Sequence, residues 1–483
     1  MEKNYQWPAR WLLPTCRAFV VGWILWGFPW LDGATIRAEQ LPNFVVIFCD
    51  DLGYGDLGCF GSTKNRTPRI DRMAAEGIRL TSFYSSSPVC TPARASLMTG
   101  CYPRRVGMHE DQTGHWVLIP GSRRGLHPDE LTVAEALKSR GYRTACIGKW
   151  HLGDQPEHLP TRHGFDRYFG IPYSNDMQNL GRGDPPLPLL DQEKVVEAPV
   201  NQSTLTRRYT EQAIRFIQQN RERPFFLFLP HTFPHLPLFA SPRFAGKSSN
   251  GRYGDAVEEI DWSTGEILDC LERNGLDSRT LVIFTSDNGS NGRNGGSNYP
   301  LAGTKGTTME GGMRVPMIAR WPGKISPGTE CGELATTMDI LPTFCHFSGA
   351  RGPAKKIDGY AIHRLLLGDE DARSPYPAFF YYRRRQLQAV RVGKYKYHLP
   401  LERTFPRWHS PSVTGKGRSG KLVEVERESS MGEDPREREE ILLDMKSRVD
   451  RMIRELGNEK DSGIGQRESL TLGKSAPLVL GEN

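Results

Sequence analysis

Four short apolar runs stand out along the chain, and each run stops at ionisable residues. They are NFVVIFCDDLG from Asn43, YRTACIGKWHLG from Tyr142, RPFFLFLPHTFPH from Arg223 and TLVIFTSDNGS from Thr280. Continuous apolar runs of this length are typical of strands buried on both faces of a mostly parallel sheet. The pattern therefore predicts four buried strands.

Segments with helical periodicity separate these runs, at Thr132 to Arg140, Thr206 to Asn220 and Asp255 to Asn274. Strands that alternate with helices are typical of an α/β layered domain. We therefore predict an α/β domain over residues 39–370, with a large, mostly parallel sheet sandwiched by helices.

A different pattern follows a linker at about residues 365–377. AFFYYRRRQLQAVRVGKYKYHLP, from Ala378, alternates in a way that predicts antiparallel strands. The polar segment 407–436 predicts a long loop. The helix after it favours packing on the sheet over binding a partner, because its apolar residues share one face: Ile441, Met445, Val449, Met452, Ile453 and Leu456. Residues 371–483 are thus predicted to form a smaller C-terminal α+β subdomain with an antiparallel sheet.

Residues 1–38 have the pattern of a secretory signal peptide. Lys3, Arg10 and Arg17 accompany the apolar run AFVVGWILWGFPWL, and small residues predict cleavage after Ala38. The run has about 14 residues, whereas a membrane-spanning helix needs about 20. This favours export, to a periplasm, the extracellular space or a lysosome-like lumen, over an uncleaved anchor. No stable membrane insertion is expected after cleavage.

Composition narrows the possibilities further. The net charge of +7 is dispersed, so we expect no nucleic-acid partner; the densest basic run, Arg383–Arg385, favours a solvated loop or edge strand over a site for an anionic polymer. Beyond Cys16, the eight cysteines have no C-x-x-C spacing and are too sparse for a disulfide scaffold. One or two disulfides remain open.

Acidic residues follow two of the predicted strands. Asp50 and Asp51 come after the first, and Asp287 and Asn288 after the last. Ligands of parallel sheets bind beyond the carboxyl ends of the strands. Three carboxylates brought together there would repel one another without a cation. Hard oxygen ligands suit Ca²⁺ or Mg²⁺, whereas zinc would want histidine and cysteine.

Basic residues are expected at the same edge: Lys149, His151, His231, His235 and Lys305. A divalent cation beside lysine and arginine, ringed by histidines, describes a pocket for a tetrahedral oxyanion. Each residue alone has an ordinary explanation, as a solvated lysine or a hydrogen-bonded histidine. Their joint placement favours the pocket.

The stretch VCTPARASLMTG contains an unusual cysteine. A structural cysteine usually packs in an apolar run, but Cys90 follows a serine-rich turn at the start of a predicted helix, with Arg94 four residues later. Such a position is expected to stabilise a thiolate or another anion.

With Cys90 included, these residues resemble the sulfatase family of the alkaline phosphatase superfamily, in its arylsulfatase A-like branch. VCTPAR matches the C-x-P-x-R signature, with Ala93 where serine is commonest. The other matching motifs follow in order over about residues 43–345: CDDLGYGDLGCFG, TPRIDRMAAEGIRLTSFY, GKWHLG, HGFDRYFG, TSDNG and GTKGTTMEGGMRVPMIARWPG. The resemblance implies an alkaline phosphatase-like fold and a hydrolase that removes sulfate from a sulfated carbohydrate or aryl sulfate.

The resemblance also implies a modified nucleophile and a metal. Cys90 would be oxidised by a formylglycine-generating enzyme to formylglycine (3-oxoalanine), whose hydrate attacks sulfur. Asp50, Asp51, Asp287 and Asn288 match the family's calcium ligands, with the modified Cys90 also facing the ion. Calcium is favoured over magnesium.

Five further residues acquire roles through the resemblance. Arg94 would support the hydrate, and Lys149 and Lys305 would hold sulfate oxygens. His151 would take a proton when the sulfated hydrate collapses to the aldehyde, and His235 would lie near the leaving oxygen. His231 has no secure counterpart in the family, and its role stays open.

Two other functions remain open. A phosphonate monoester or phosphodiester hydrolase of the same superfamily can share the formylglycine signature. A non-catalytic anion- or glycan-binding protein would keep Cys90 unmodified, although the intact set of ligands and bases argues against it. The loops at about 109–127 and 171–200 are expected to determine the substrate.

Overall fold

The computed structural model describes residues 41–178, 183–405, 414–427 and 437–456. The predicted signal peptide lies outside these residues. The strands are β1 Asn43–Cys49, β2 Ile78–Leu80, β3 Phe83–Tyr84, β4 Arg143–Ile147, β5 Arg167–Gly170, β6 Leu189–Asp191, β7 Lys194–Glu197, β8 Phe225–Pro230, β9 Thr280–Ser286, β10 Met317–Arg320, β11 Thr329–Cys331, β12 Ala335–Thr336, β13 Phe379–Arg383, β14 Gln386–Val392, β15 Tyr395–His398, β16 Leu401–Thr404, β17 Gly415–Arg418 and β18 Lys421–Glu424. The helices are α1 Pro68–Ala75, α2 Cys90–Thr99, α3 Val133–Lys138, α4 Leu205–Gln219, α5 Gly251–Arg273, α6 Glu310–Met313, α7 Ile340–Ser348, α8 His363–Leu366 and α9 Glu437–Leu456.

A mixed sheet forms the centre of the fold. In the described part of the chain it has ten strands, in the order β11-β2-β10-β9-β1-β8-β4-β5-β6-β7. The five central strands, from β9 to β5, are parallel neighbours, while β10 and the β6–β7 ribbon run antiparallel. The four predicted strands are β1, β4, β8 and β9, so the expected mostly parallel sheet is confirmed at its centre.

Both faces of this sheet are covered, which explains the continuous apolar runs within β1, β8 and β9. Along β1, Phe44 and Phe48 pack into one core with α2, α3 and α7. Val45 and Ile47 point to the opposite core, which includes α1, α4 and α5. Successive side chains of a strand point to opposite faces, so a strand between two helical layers needs apolar residues throughout. The predicted α/β layered class is confirmed.

A smaller antiparallel sheet, in the order β13-β14-β15-β18, follows the central one. Helix α9 packs on it through Met445 and Val449, as its apolar face predicts. The same core includes Tyr84 and Met313 from the preceding chain. The C-terminal sheet is therefore joined to the α/β layers by a shared core.

The long loop predicted for residues 407–436 is wrong in part. Within it, β17 pairs with β16, and β18 pairs with β15 at the edge of the C-terminal sheet. Their sequences, GKGR and KLVE, have little alternation, and the strands exist because a partner strand supplies the hydrogen bonds. The rest of that segment, apart from residues 414–427, lies outside the described residues.

The described residues contain neither a disulfide nor a helix long and apolar enough to span a membrane. No pair among the eight cysteines of the described ranges forms a disulfide, and all are free thiols. Across the same ranges, no helix combines the length and the hydrophobicity that crossing a bilayer requires.

Candidate active site

The acidic residues come together because β1 and β9 are paired in register. Cys49 lies opposite Ser286, and the Asp287 amide donates to the Cys49 carbonyl at 3.0 Å. The residues that follow, Asp50 and Asp287, therefore leave the sheet side by side. The Asp51 amide donates to Asp287 Oδ1 at 3.1 Å, which closes the turn.

Cys90 enters this group from the first turn of α2. Its Sγ lies 3.3 Å from Asp50 Oδ1 and 3.7 Å from Lys305 Nζ. Potential ligand atoms of Asp50, Asp51, Cys90 and His235 all lie within 4.8 Å of one another, and all four residues are buried. The carboxylates after β1, the thiol at the start of α2 and a histidine after β8 thus share one small volume.

Buried cations surround the carboxylates. Lys149 donates to Asp50, and Lys305 donates to Asp51 at 2.9 Å. Arg94 donates to Asp287 Oδ2 at 2.9 Å and to the Lys149 carbonyl at 2.7 Å. An anion that reached this place would meet three positive side chains at once, in a region where little water weakens the attraction.

The two neighbouring carboxyls respond differently to this environment. Burial opposes ionisation of Asp50, but Lys149, then His235 and Arg94, hold its pKa well below the usual range. Burial, and then the charge of Asp50, raises the pKa of Asp287 to about 7 against the pull of Arg94. The pKa of Asp287 is thus raised although Arg94 donates to its carboxylate.

Asn288 adds an amide to the acidic group. Its Nδ2 donates to Asp51 Oδ1 at 2.7 Å and to the Gly289 carbonyl. Its Oδ1 is buried and has no hydrogen-bond partner among the described residues. A buried carbonyl oxygen without a partner is costly, and together with the nearby carboxylates it makes a set of hard oxygen donors. These residues fit Ca²⁺ or Mg²⁺.

The surroundings of Cys90 disfavour the thiolate. Burial, and then the charge of Asp50, raises the pKa of Cys90 well above its usual value, although Lys149 and Lys305 act in the opposite direction. The expectation that the start of this helix stabilises a thiolate is therefore wrong for the encoded cysteine. The local rule failed because burial and Asp50 outweigh the nearby cations.

His151 is held in one tautomer. Its Nε2 lies 3.0 Å from the Leu118 carbonyl, an acceptor, so the proton of the neutral ring is on Nε2. Nδ1 is buried and has no hydrogen-bond partner among the described residues. Burial, and then Lys149, lowers the pKa of the ring. His151 therefore offers a free lone pair at Nδ1, as a base requires.

In His235 the proton of the neutral ring is on Nδ1, whereas in His151 it is on Nε2. The Nδ1 of His235 faces Asn175 Oδ1 at 3.1 Å and the Leu236 carbonyl, both acceptors, and so carries a proton. Its Nε2 lies 3.7 Å from Asp51 Oδ2 and faces the acidic group. Burial, and then Lys305, lowers the pKa of this ring.

His231 lies apart from these contacts. Its Nε2 is 3.4 Å from the Ser263 hydroxyl on α5, and burial lowers its pKa to about 3. The sequence placed it with the other pocket residues because it follows the same strand. The structure instead gives it a partner in a helix that covers the sheet.

The segment after β5 lies in the loop at about 171–200 that was expected to determine the substrate, but its contacts with Lys149 and His235 were not predicted. The Ser174 hydroxyl accepts from Lys149 at 3.0 Å, and Asn175 orients His235 as described. Asp176, the next residue, is exposed to solvent. β5 is a short strand paired in parallel with β4, so the rule about strand ends would have found this segment had the run RYFG been read as a strand.

Known families match most of the described chain. The sulfatase model matches residues 42–350, and the model named N-sulphoglucosamine sulphohydrolase, C-terminal, matches residues 304–399. The first match spans both strand ends and the helix that carry the acidic group. The second begins in the loop of Lys305 and extends through most of the C-terminal sheet.

Individual relatives agree with the family match. Arylsulfatase A of Homo sapiens is 43% identical over 393 residues, which are 76% of this chain and 76% of the relative. N-acetylgalactosamine-6-sulfatase of Mus musculus is 41% identical over 380 residues, covering 75% of this chain and 72% of the relative. The crystal structure of a sulfatase from Pseudoalteromonas sp. superposes with a TM-score of 0.76 and 30% identity, covering 86% of this chain and 90% of the other. The chain belongs to the sulfatase family.

Proposed function

We propose that this protein is an exported sulfuric ester hydrolase that removes sulfate from a sulfated carbohydrate or aryl sulfate, with formylglycine made from Cys90 and with bound calcium. The observation that carries the proposal is the position of Cys90, whose Sγ lies 3.3 Å from Asp50 Oδ1 and 3.7 Å from Lys305 Nζ. A nucleophile at this point lies between the carboxylates that would bind the metal and Lys305, which would bind the sulfate. A buried thiol with a raised pKa is a poor nucleophile. This favours a mechanism in which Cys90 is converted to formylglycine.

Two groups supply chemistry that the encoded side chains lack. Formylglycine would supply a hydrated aldehyde, with one hydroxyl for attack on sulfur and a second for release of sulfate. Calcium would be held by Asp50, Asp51, Asp287 and Asn288 and would supply positive charge to balance the sulfate. Calcium suits the site better than magnesium because it accepts more ligands in a less regular geometry.

The other buried side chains bind and orient the substrate. Lys149 and Lys305 hold the sulfate oxygens, and Arg94 fixes Asp287 and supports the nucleophile from α2. Such fixed charges, placed before the reaction starts, stabilise charge that develops in the transition state. Ser174 keeps the Lys149 ammonium in place.

The two histidines move protons in opposite directions. His151 accepts a proton at Nδ1 during release of sulfate, since its Nε2 is committed to the Leu118 carbonyl. His235 donates from Nε2 to the leaving oxygen when its ring is protonated, since Nδ1 is committed to Asn175. General acid or base help of this kind contributes about 10²- to 10⁴-fold.

We also propose how the chain is processed and divided into domains. Residues 1–38 are a signal peptide, residues 39–370 the catalytic domain and residues 371–483 the C-terminal subdomain. A formylglycine-generating enzyme is the maturation partner. A relative named N-acetylgalactosamine-6-sulfatase supports a sulfated carbohydrate as substrate. The relative named arylsulfatase A supports an aryl sulfate as a usable reporter.

Turnover of matched esters tests the function. We expect kcat/KM on an aryl sulfate to exceed that on the corresponding phosphodiester and phosphonate monoester by at least about 100-fold, which is about 3 kcal/mol of transition-state preference. A preference for the phosphorus esters would establish the alternative hydrolase. Specific binding of sulfated glycans without turnover, with Cys90 still a thiol, would establish the binding protein.

The pH dependence tests the role of His235. Because burial and Lys305 lower the pKa of its ring, the protonated acid is lost as pH rises, and we expect kcat/KM to fall along an alkaline limb below about pH 6.5. The negative charge of the bound sulfate ester raises the pKa of His235. The alkaline limb of kcat is therefore expected at higher pH than the alkaline limb of kcat/KM. His235→Gln should lower kcat by about 10²- to 10⁴-fold and flatten both limbs. Unchanged limbs in the variant would exclude His235 as the acid.

A further inference from the structure

The loop that carries Lys305 is held from behind by the C-terminal sheet. Lys396, on β15, is fully buried, and its Nζ donates to the Thr308 carbonyl at 2.8 Å and to Glu310 Oε1 at 2.9 Å. Thr308 and Glu310 lie three and five residues after Lys305. One lysine of the second sheet thus contacts both the backbone and a side chain of the catalytic loop.

Other residues of the same sheet reinforce this contact. The Tyr381 hydroxyl donates to Glu310 Oε1 at 3.0 Å, and the Lys396 ammonium lies 4.0 Å from the centre of the Tyr381 ring. Thr308 Oγ1 donates to Gln388 Oε1 at 2.9 Å. Strands β13, β14 and β15 therefore each provide a polar contact to the segment Thr308–Glu310.

The front of the loop is held by backbone contacts at Lys305 and Gly306, and by Asn298, which donates to the Gly303 carbonyl at 3.1 Å. The Lys305 amide donates to the Ser290 carbonyl at 3.0 Å, and the Gly306 amide donates to the Pro88 carbonyl at 2.9 Å. The ammonium then reaches Asp51 at 2.9 Å. Lys305 lies at one end of a short span whose other end contacts Lys396, with Glu310 also accepting a hydrogen bond from the Tyr84 hydroxyl.

A buried ion pair of this kind contributes little net stability, because removing both charges from water costs about as much as their attraction returns. Its geometry is nevertheless strict, since either charge left alone is heavily penalised. The pair Glu310–Lys396 is thus suited to fixing one position of the loop. A hydrophobic pair would stabilise the core without fixing this position.

We propose that Lys396 and Glu310 are positioning residues, through which the C-terminal sheet sets the place of the Lys305 ammonium in the active site. The part of this inference that concerns sulfate binding rests on the proposed function. The part that concerns the position of Lys305 does not.

Lys396→Met is the first variant, and Lys394→Met is its matched control. Lys394 comes just before β15 and pairs with Glu424 at 2.9 Å, but its side chain is 69% exposed. We expect Lys396→Met to lower kcat/KM on the aryl sulfate by about 10-fold or more, because an ångström-scale displacement of a catalytic group costs up to about 100-fold. Lys394→Met should stay within about twofold of the unmodified chain, as surface changes usually do.

A double-mutant cycle distinguishes positioning from a general structural effect. If Lys396 acts through Lys305, the loss from Lys396→Met should shrink to less than about twofold in a Lys305→Met background, because coupled residues are not additive. Equal losses in both backgrounds would overturn the inference. Where Lys396→Met alone fails to fold, the pair Glu310→Gln with Lys396→Met removes both charges of this pair, while Arg314, 4.0 Å from Glu310, keeps its contact with Glu426 at 2.9 Å.

A second readout needs no turnover. Reductive methylation of Lys305, followed by peptide mass spectrometry, reports how much of its amine is unprotonated and accessible. Loss of the Asp51 contact should speed this labelling about 10-fold in Lys396→Met and leave it unchanged in Lys394→Met. Faster labelling in a chain that hydrolyses no sulfate ester would refute the proposed function and keep the positioning inference. Unchanged labelling in Lys396→Met would overturn the inference whatever the activity.

Discussion

Cys90→Ala is expected to lower turnover of a sulfate ester by about 10⁴- to 10⁶-fold, the loss typical of removing a covalent nucleophile. The thiol itself is not the expected nucleophile, since burial raises the pKa of Cys90 well above its usual value. Mass spectrometry of the tryptic peptide that contains Cys90, from protein made in its own host, should therefore show a loss of mass and reaction with carbonyl reagents. An unmodified thiol in fully active protein would contradict the formylglycine proposal.

Two controls make this result specific. Cys101 lies just beyond the same helix and is equally buried, with its Sγ against the Thr99 carbonyl, so Cys101→Ala measures the effect of removing a packed thiol. We expect its turnover to stay within about 10-fold of the unmodified chain, through stability alone. Cys90→Ser keeps a hydroxyl but lacks the second hydroxyl that releases sulfate. It should transfer no more than one sulfate per chain, and sustained turnover by this variant would exclude the release step.

The positions of the acidic residues were predictable from sequence because the signals are local. A continuous apolar run, such as residues 44–49 of β1, is a buried strand, and its carboxyl end lies where ligands bind. The register that places Asp50 beside Asp287 then follows from two such strands being neighbours. The only long-range information needed was that β1 and β9 are neighbouring strands.

Other features depend on residues far apart in the chain and could not be predicted this way. The strand β17 has the sequence GKGR and becomes a strand through its pairing with β16. The pKa of Cys90 rises because burial and Asp50, forty residues away, outweigh its neighbours. The tautomer of His151 depends on the Leu118 carbonyl. Sequence patterns supply the residue types, whereas the protonation state of each depends on contacts that only the fold creates.

Removal of divalent cations is expected to lower both activity and thermal stability. Calcium at about 100 times its dissociation constant adds about 2.7 kcal/mol to the folded state, which corresponds to a rise in Tm of about 3 °C for a chain of this size. We expect chelation to reverse this rise and to reduce turnover by at least about 100-fold, through loss of charge stabilisation. Calcium should restore both, and magnesium less. A Tm and a turnover that chelation leaves unchanged would contradict the metal site.

The pH dependence of the same experiment separates a site at Asp287 from adventitious binding. Burial and Asp50 raise the pKa of Asp287 to about 7 in the metal-free protein, so its proton stabilises that state at low pH and this contribution is lost as pH rises through 7. Calcium must displace the proton. The difference in Tm between the calcium-loaded and chelated protein should therefore widen from pH 6 to pH 8. Asn288→Leu removes the buried Oδ1 that lacks a partner and should abolish most of the difference, whereas Asn274→Leu, at the end of α5, changes an asparagine bonded to Cys270 and should retain it. A difference that is independent of pH, or equal in the two variants, would place the cation elsewhere.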